Sequence, residues 1–209
     1  MSDADLKLRL RERVGFAGAG SRRSKRGDLD LNPHLVKLQP VDRGLRPAAV
    51  LVPIIDRQSG LHVLFTRRAD HLSRHAGQVS FPGGRVDEGE ASAVDAALRE
   101  TEEEVGLSRE FVEVFGDLDT YETGTGFAIH PVVGFVREGF ELRIDSAEVA
   151  EAFEVPLAFL MDRRNHEQRT GTWQGTERRY FAINFGRHYI WGATAGILMN
   201  LFDSLYGER

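Results

Sequence analysis

The sequence predicts an α/β (α+β) sandwich built on a mixed sheet, and three observations predict it. Runs such as Ala49-Val50-Leu51-Val52 and Leu61-His62-Val63-Leu64-Phe65 have the β-branched and aromatic make-up of strands. Two other segments, residues 92–105 and Ala193 to Tyr206, repeat their apolar residues at helical spacing. The coarse order is mixed strands with two clear helices, without an internal repeat or a low-complexity tract, which suits one layered domain.

In chain order, Leu6, Leu8, Leu10 and Val14 suit a short helix, followed by a Gly/Ser/Arg loop from Gly18 to Gly27. Asn32 to Leu45 is turn-rich, with Pro33 and Pro40, so residues 1–45 read as an extension laid on a domain of residues 46–209. The strands Ala49–Val52 and Leu61–Phe65 are joined by a turn at Asp56 to Gly60. Ser92 followed by Asp95 resembles a capping box, and Gly106 is a natural helix stop. Phe111 to Phe115, Ile129 to Val136, Arg179 to Phe185 and His188 to Trp191 read as further strands. In the last helix Ile197, Leu198, Leu201, Phe202 and Leu205 form one buried stripe. The apolar positions of the extension and of this helix suit a homodimer interface or the monomer's own core.

A chain of 209 residues buries ~70% of its unfolded surface and folds without covalent staples. It has no cysteine, which excludes a disulfide scaffold, a thiolate zinc site and a cysteine nucleophile. No apolar run approaches the ~18 residues of a membrane span, and the N-terminus lacks a signal-peptide core. The expectation is a soluble cytoplasmic protein with no membrane partner. Net charge is 27 − 32 = −5, with 11 Lys/Arg against 6 Asp/Glu in residues 1–46 and therefore −10 beyond them. So acidic a body argues against nucleic acid as a partner. The basic stretch Arg22, Arg23, Lys25 and Arg26 reads as a solvated loop, with a phosphate group as its alternative partner. The seven histidines show no paired zinc-ligand spacing. Trp173 and Trp191 read as core residues, with stacking on an adenine as the alternative.

The informative segment runs from Phe81 to Leu107. At about 100° per residue, Val94, Leu98, Thr101 and Val105 fall on one buried stripe. Glu100, Glu103 and Glu104 share an arc beside it, and Glu102 points elsewhere. Like charges at these spacings destabilise an isolated helix by ~0.2–0.5 kcal/mol per pair. A hard divalent cation, Mg²⁺ or Mn²⁺, would neutralise all three through oxygen ligands; a solvated acidic face is the alternative. Upstream, Phe81-Pro82-Gly83-Gly84 reads as a tight turn whose glycines let backbone approach a ligand or metal.

Gly84, Glu90 and Arg99-Glu100-Thr101-Glu102-Glu103-Glu104-Val105-Gly106-Leu107 together resemble the Nudix box, the signature of hydrolases of nucleoside diphosphates linked to another moiety. Eight residues separate Glu90 from Arg99 where the usual box has seven, and Thr101 replaces the usual aliphatic residue. The resemblance implies a Nudix-like α/β/α sandwich. It implies catalytic metal held by Glu100, Glu103 and Glu104 with the Gly84 carbonyl, and an Arg99 that orients a glutamate. For the general base it leaves Glu100, Glu148 and Glu151 as candidates.

A second resemblance is finer. Thr66, Arg68, Ala69, Gly77 and Phe81 to Gly84 match the motif of the coenzyme A pyrophosphatase subfamily, although the second arginine of that motif falls at Ser73 with Arg74 beside it. Trp191-Gly192-Ala193-Thr194-Ala195 also looks like that subfamily. The resemblance implies cleavage of coenzyme A to 4′-phosphopantetheine and adenosine 3′,5′-bisphosphate. Arg68, Arg74, His75, Gly77 and Gly83 would form the substrate site. Another diphosphate such as ADP-ribose, and a non-catalytic nucleotide-sensing domain, are the alternatives.

Overall fold

The computed structural model describes residues 3–15, 26–38, 44–173 and 175–207. The loop cations Arg22, Arg23 and Lys25 lie outside these. In chain order the elements are α1 (Asp3–Arg13), β1 (Arg26–Gly27), α2 (Asp28–Leu31), a 3-10 turn (Pro33–Leu38), β2 (Arg46–Arg57), β3 (Gly60–Arg68), β4 (Val79–Ser80) and β5 (Gly83–Arg85). They continue with α3 (Ala93–Val105), β6 (Val112–Asp117), β7 (Tyr121–Glu122), β8 (Phe127–Val136), β9 (Val149–Pro156), α4 (Leu157–Leu160), β10 (Glu167–Trp173), β11 (Thr176–Phe185), β12 (His188–Trp191) and α5 (Gly192–Tyr206).

The main sheet among the described residues is mixed, in the order β1-β7-β8-β2-β3-β4, with β5 on β2, β6 on β8 and β9 on β3. β2 runs parallel to β8 and antiparallel to β3 and β5. Its middle is buried on both faces, as a strand sandwiched between helical layers must be. On one face Ala49, Leu51 and Val132 pack under Ala96, Ala97 and Leu98 of α3. On the other, Val52, Ile54 and Val133 join Leu198, Leu201 and Leu205 of α5. β10, β11 and β12 form a separate antiparallel sheet packed against α5. The expected α/β/α sandwich is the fold.

The extension contributes to this core. Leu6, Leu10 and Val14 are buried with α5, and Arg9 Nε donates to the Leu205 carbonyl at 2.7 Å. Leu8, two residues off the i,i+4 row, points to solvent instead. Leu6, Leu10 and Val14 thus pack with Leu198, Leu201 and Leu205 of α5 within one chain. Arg26 faces Asp203 at 3.2 Å and Asp119 at 3.9 Å, so acids of the body already hold it. Trp173, expected in the core, is 49% exposed because it sits at the tip of the β10–β11 hairpin. No helix among the described residues is long and apolar enough to cross a membrane.

Candidate active site

α3 is set by local rules. Ser92 caps it, its Oγ accepting from Asp95 N–H at 3.1 Å, and Gly106 ends it with a left-handed φ of 70°. Only half of the capping box forms, because the Asp95 carboxylate takes the Ser92 hydroxyl (2.7 Å) rather than a backbone N–H. Leu98, Thr101 and Val105 are buried as expected, and Val94 is half-buried.

The segment at Gly83 is a short strand as well as a turn. Gly83 pairs with Val50 and Gly84 with Ala49, which brings β5 under α3. The glycines are required there. A Cβ on Gly84 would lie 2.7 Å from Glu100 Oε1 and would also strike Glu100 Cδ and Oε2. One on Gly83 would strike the Ala49 carbonyl and lie 2.6 Å from Val50 Cα.

The structure divides the three carboxylates that share an arc in the sequence. Glu104 is buried, and its Oε2 accepts from Gly83 N–H at 3.3 Å. Burial holds its carboxyl up at about 8, against the pull of that N–H and of Arg68. Glu100 is half-buried, and desolvation raises it as well, opposed by Arg99. Glu103 is exposed and turned toward Arg99. Arg99 is the organiser. Its Nη1 donates to Glu100 Oε1 and Glu103 Oε2, both at 2.9 Å; Nε donates to Glu90 Oε1 at 2.9 Å, and Nη2 to the Arg85 carbonyl at 3.3 Å. Glu90 is fixed in turn by Asp87 N–H at 2.7 Å, so the extra residue before α3 leaves its contact with Arg99 intact.

Opposite α3, Arg68 Nη1 lies 3.9 Å from Glu104 Oε1, and Arg68 Nε is buried without a hydrogen-bond partner among the described residues. The two halves of the upstream motif lie against each other here. Arg68 N–H donates to the Gln78 carbonyl at 2.9 Å, Gly77 N–H donates to the Arg68 carbonyl at 3.2 Å, and Thr66 Oγ1 meets Ser80 Oγ at 3.2 Å. Arg74 and His75 lie on the exposed turn before Gly77, apart from the carboxylates. His75 holds a φ of 58°, the single non-glycine left-handed residue among those described, and its Nδ1 meets Gln78 Oε1 at 2.8 Å. Such strain in a non-glycine residue is a marker of functional loops.

The model of the NUDIX domain matches residues 45–173. The chain belongs to the Nudix family. It is 43% identical over 157 residues to the uncharacterized Nudix hydrolase NudL of Escherichia coli (strain K12), covering 75% of this chain and 81% of that one. Its likeness to NudL of Shigella boydii serotype 18 is 42% over the same shares. A Nudix hydrolase from M. Smegmatis, RenU, superposes with a TM-score of 0.48 at 21% identity, over 71% of this chain and 82% of that one. As a Nudix pyrophosphatase, this protein hydrolyses nucleoside diphosphate derivatives, a class of reaction for which Nudix hydrolases generally use divalent metal ions.

Among the described residues no three carboxylate or imidazole groups already converge on one point: Arg99 Nη1 holds Glu100 and Glu103, while Glu104 turns to Gly83 N–H. Glu100 and Glu104 nonetheless flank the Gly83–Gly84 backbone, and both are carboxylates that burial disfavours as anions, so a cation would stabilise them.

A loop that the sequence reading did not place completes the wall. Asp145 N–H donates to the Glu104 carbonyl at 3.0 Å and Ala69 N–H to the Glu148 carbonyl at 2.8 Å, so Glu148 is anchored next to Arg68. The Glu148 charge acts on both Glu100 and Glu104. Glu151 belongs elsewhere, with Arg187 at 2.5 Å, His188 at 3.2 Å and Arg67 at 3.8 Å.

Proposed function

We propose that this Nudix protein is a Mg²⁺-dependent (or Mn²⁺-dependent) coenzyme A diphosphatase yielding 4′-phosphopantetheine and adenosine 3′,5′-bisphosphate. Arg68 carries the reading. Its guanidinium stands beside the acidic helix with a buried Nε that nothing among the described residues satisfies, and it belongs to the segment that resembles the coenzyme A subfamily. A buried arginine donor left open calls for an anionic acceptor, and a diphosphate oxygen has the right chemistry.

In this account Glu100 and Glu104, with Glu103 once it leaves Arg99, hold the metal beside the Gly84 carbonyl. The bound ion would neutralise charge on the diphosphate and lower the pKa of the attacking water. Arg99 positions the carboxylates and does not touch substrate. Glu148 accepts the proton of the attacking water, which the engagement of Glu151 with Arg187 favours. Gly77 and Gly83 let the backbone run close to substrate, and Arg74 and His75 on the exposed turn meet its distal phosphate. Residues 46–209 form the catalytic domain, and residues 1–45 are an extension whose α1 buttresses α5.

Steady-state comparison of substrates tests the assignment. The catalytic efficiency on coenzyme A is expected to exceed that on ADP-ribose by at least about tenfold, and Arg68→Ala is expected to raise KM for coenzyme A about tenfold or more. The reverse ranking would reassign the substrate, and absence of turnover on every diphosphate would favour a sensing role.

A further inference from the structure

A cavity of about 430 Å³ lies between α5, the inner face of β10–β11 and the α2 turn. None of Gly84, Glu100, Glu104 or Arg68 lines it. Its size falls within the range of small-molecule sites. On α5, Gly196, Asn200 and Asp203 face it from one side of the helix, as their i,i+4,i+7 spacing requires. Across from them, Gln168 and Phe181 are cross-strand partners and share a face of the sheet. That wall is clamped: Asn32 Nδ2 donates to the Arg179 carbonyl at 2.9 Å, and Arg179 N–H donates to Asn32 Oδ1 at 2.7 Å.

Most charge around the cavity is already spoken for. Arg26 pairs with Asp203, Asp30 accepts from Gly27 N–H at 3.0 Å, and His166 Nε2 meets the Leu160 carbonyl at 2.6 Å. The polar groups left open are different in kind. Asn200 is 6% exposed, and its Nδ2 is buried with no hydrogen-bond partner among the described residues. Gln168 and Arg163 are exposed, and their side chains have no hydrogen-bond or ion-pair partner among the described residues.

We propose that this cavity binds a purine nucleotide, base first. The Asn200 amide suits the N6/N7 edge of adenine, Gln168 offers a second amide across from it, and Phe181 and Phe202 contribute apolar surface to the lining. Arg163 takes the phosphate at the rim. Such a nucleotide has two sources, the nucleotide end of a bound substrate or a free mononucleotide.

Titration calorimetry of the full chain with AMP and UMP in EDTA tests the site, since neither ligand carries a diphosphate to cleave. AMP is expected to bind at one site at least about tenfold tighter than UMP. Asn200→Leu, which keeps volume and removes the amide, is expected to weaken AMP about tenfold or more. Gln168→Ala, on an exposed strand, should weaken it to a lesser degree, and Glu104→Gln should leave it unchanged. No saturable AMP binding overturns the proposal. So does binding that responds to Glu104→Gln but to neither amide variant, or that is equal for AMP and UMP. Inhibition kinetics separate the two sources: competition with the diphosphate substrate marks its own nucleotide end, and non-competitive modulation marks a free effector. The binding result stands whatever the substrate of the carboxylate site.

Discussion

Gly84→Ala tests whether the carboxylate site is built by close approach of backbone to α3. The added Cβ would lie 2.7 Å from Glu100 Oε1, where ordinary contact begins at 3.4 Å. The obstacle is the end of a half-buried side chain, so the fold yields easily and the Glu100 carboxylate must withdraw by about 1 Å. Misplacing a reacting group by that much lowers kcat about 10²-fold, equivalent to about 2.7 kcal/mol of barrier. Stability should hardly change, with Tm within about 2 °C of the parent. Gly83→Ala is the control. Its Cβ meets the Ala49 carbonyl and Val50 Cα, which are backbone and cannot yield, at a φ of 150°. It is expected to lose about 2–5 kcal/mol of stability, a fall of about 5–15 °C in Tm. Hydrolysis rates at saturating Mg²⁺ alongside thermal melts read both. If the effect runs through Glu100, adding Gly84→Ala to Glu100→Gln reduces activity little further. A Gly84→Ala enzyme with parental kcat, or one that loses activity only as it unfolds, would refute the reasoning.

Four other outcomes follow from the same structure. The folded metal-free protein holds a proton on Glu104 up to about 8, against 4.5 ordinarily, so it binds more protons than the unfolded chain across that window. Its stability should therefore fall as pH rises through the window, by at most about 1.4 kcal/mol per pH unit; Mg²⁺ should stabilise it more at pH 8 than at pH 6, and melts of Glu104→Gln should lose both trends. Arg99→Lys keeps the charge but not the fork that joins Glu90, Glu100 and Glu103, so kcat should fall about 10–100-fold with KM nearly unchanged in steady-state assays. Leu10→Ala opens a cavity between α1 and α5, and urea titration should show a loss of about 2–5 kcal/mol with activity retained. Glu148→Gln should reduce kcat about 10²-fold or more while Glu151→Gln changes it by less than about threefold; equal effects would discard the assignment of the base.

What was legible in the sequence is what local rules determine. The span of α3, its Ser92 cap, its Gly106 stop and its buried stripe follow from capping and 3.6-residue periodicity, and the paired hydrophobic runs of β2 and β3 announce themselves. β9 did not, because Glu151 and Glu154 dilute its strand signal and are neutralised only by tertiary pairing, Glu151 with Arg187 and Arg67 and Glu154 with Arg57. β10 is polar, with Gly171 in its interior, so it too lacks a strand pattern. Within the site, helical geometry put Glu100, Glu103 and Glu104 on one arc but could not separate them. Glu104 is buried because β5 and the loop ending at Glu148 close over it, and Glu103 stays exposed on the same Arg99 Nη1 that holds Glu100. The cavity at Asn200 joins segments far apart in sequence, and no local pattern marks it.

The central claim is tested most directly by identifying products. The full chain is incubated with coenzyme A and Mg²⁺, with EDTA and with the Glu104→Gln variant in parallel, and the nucleotides are resolved by chromatography. The account predicts 4′-phosphopantetheine and adenosine 3′,5′-bisphosphate in equal amounts, abolished by EDTA and reduced at least about 10²-fold in the folded variant. Intact coenzyme A in every sample, or hydrolysis that survives EDTA and the loss of the Glu104 carboxylate, would contradict it.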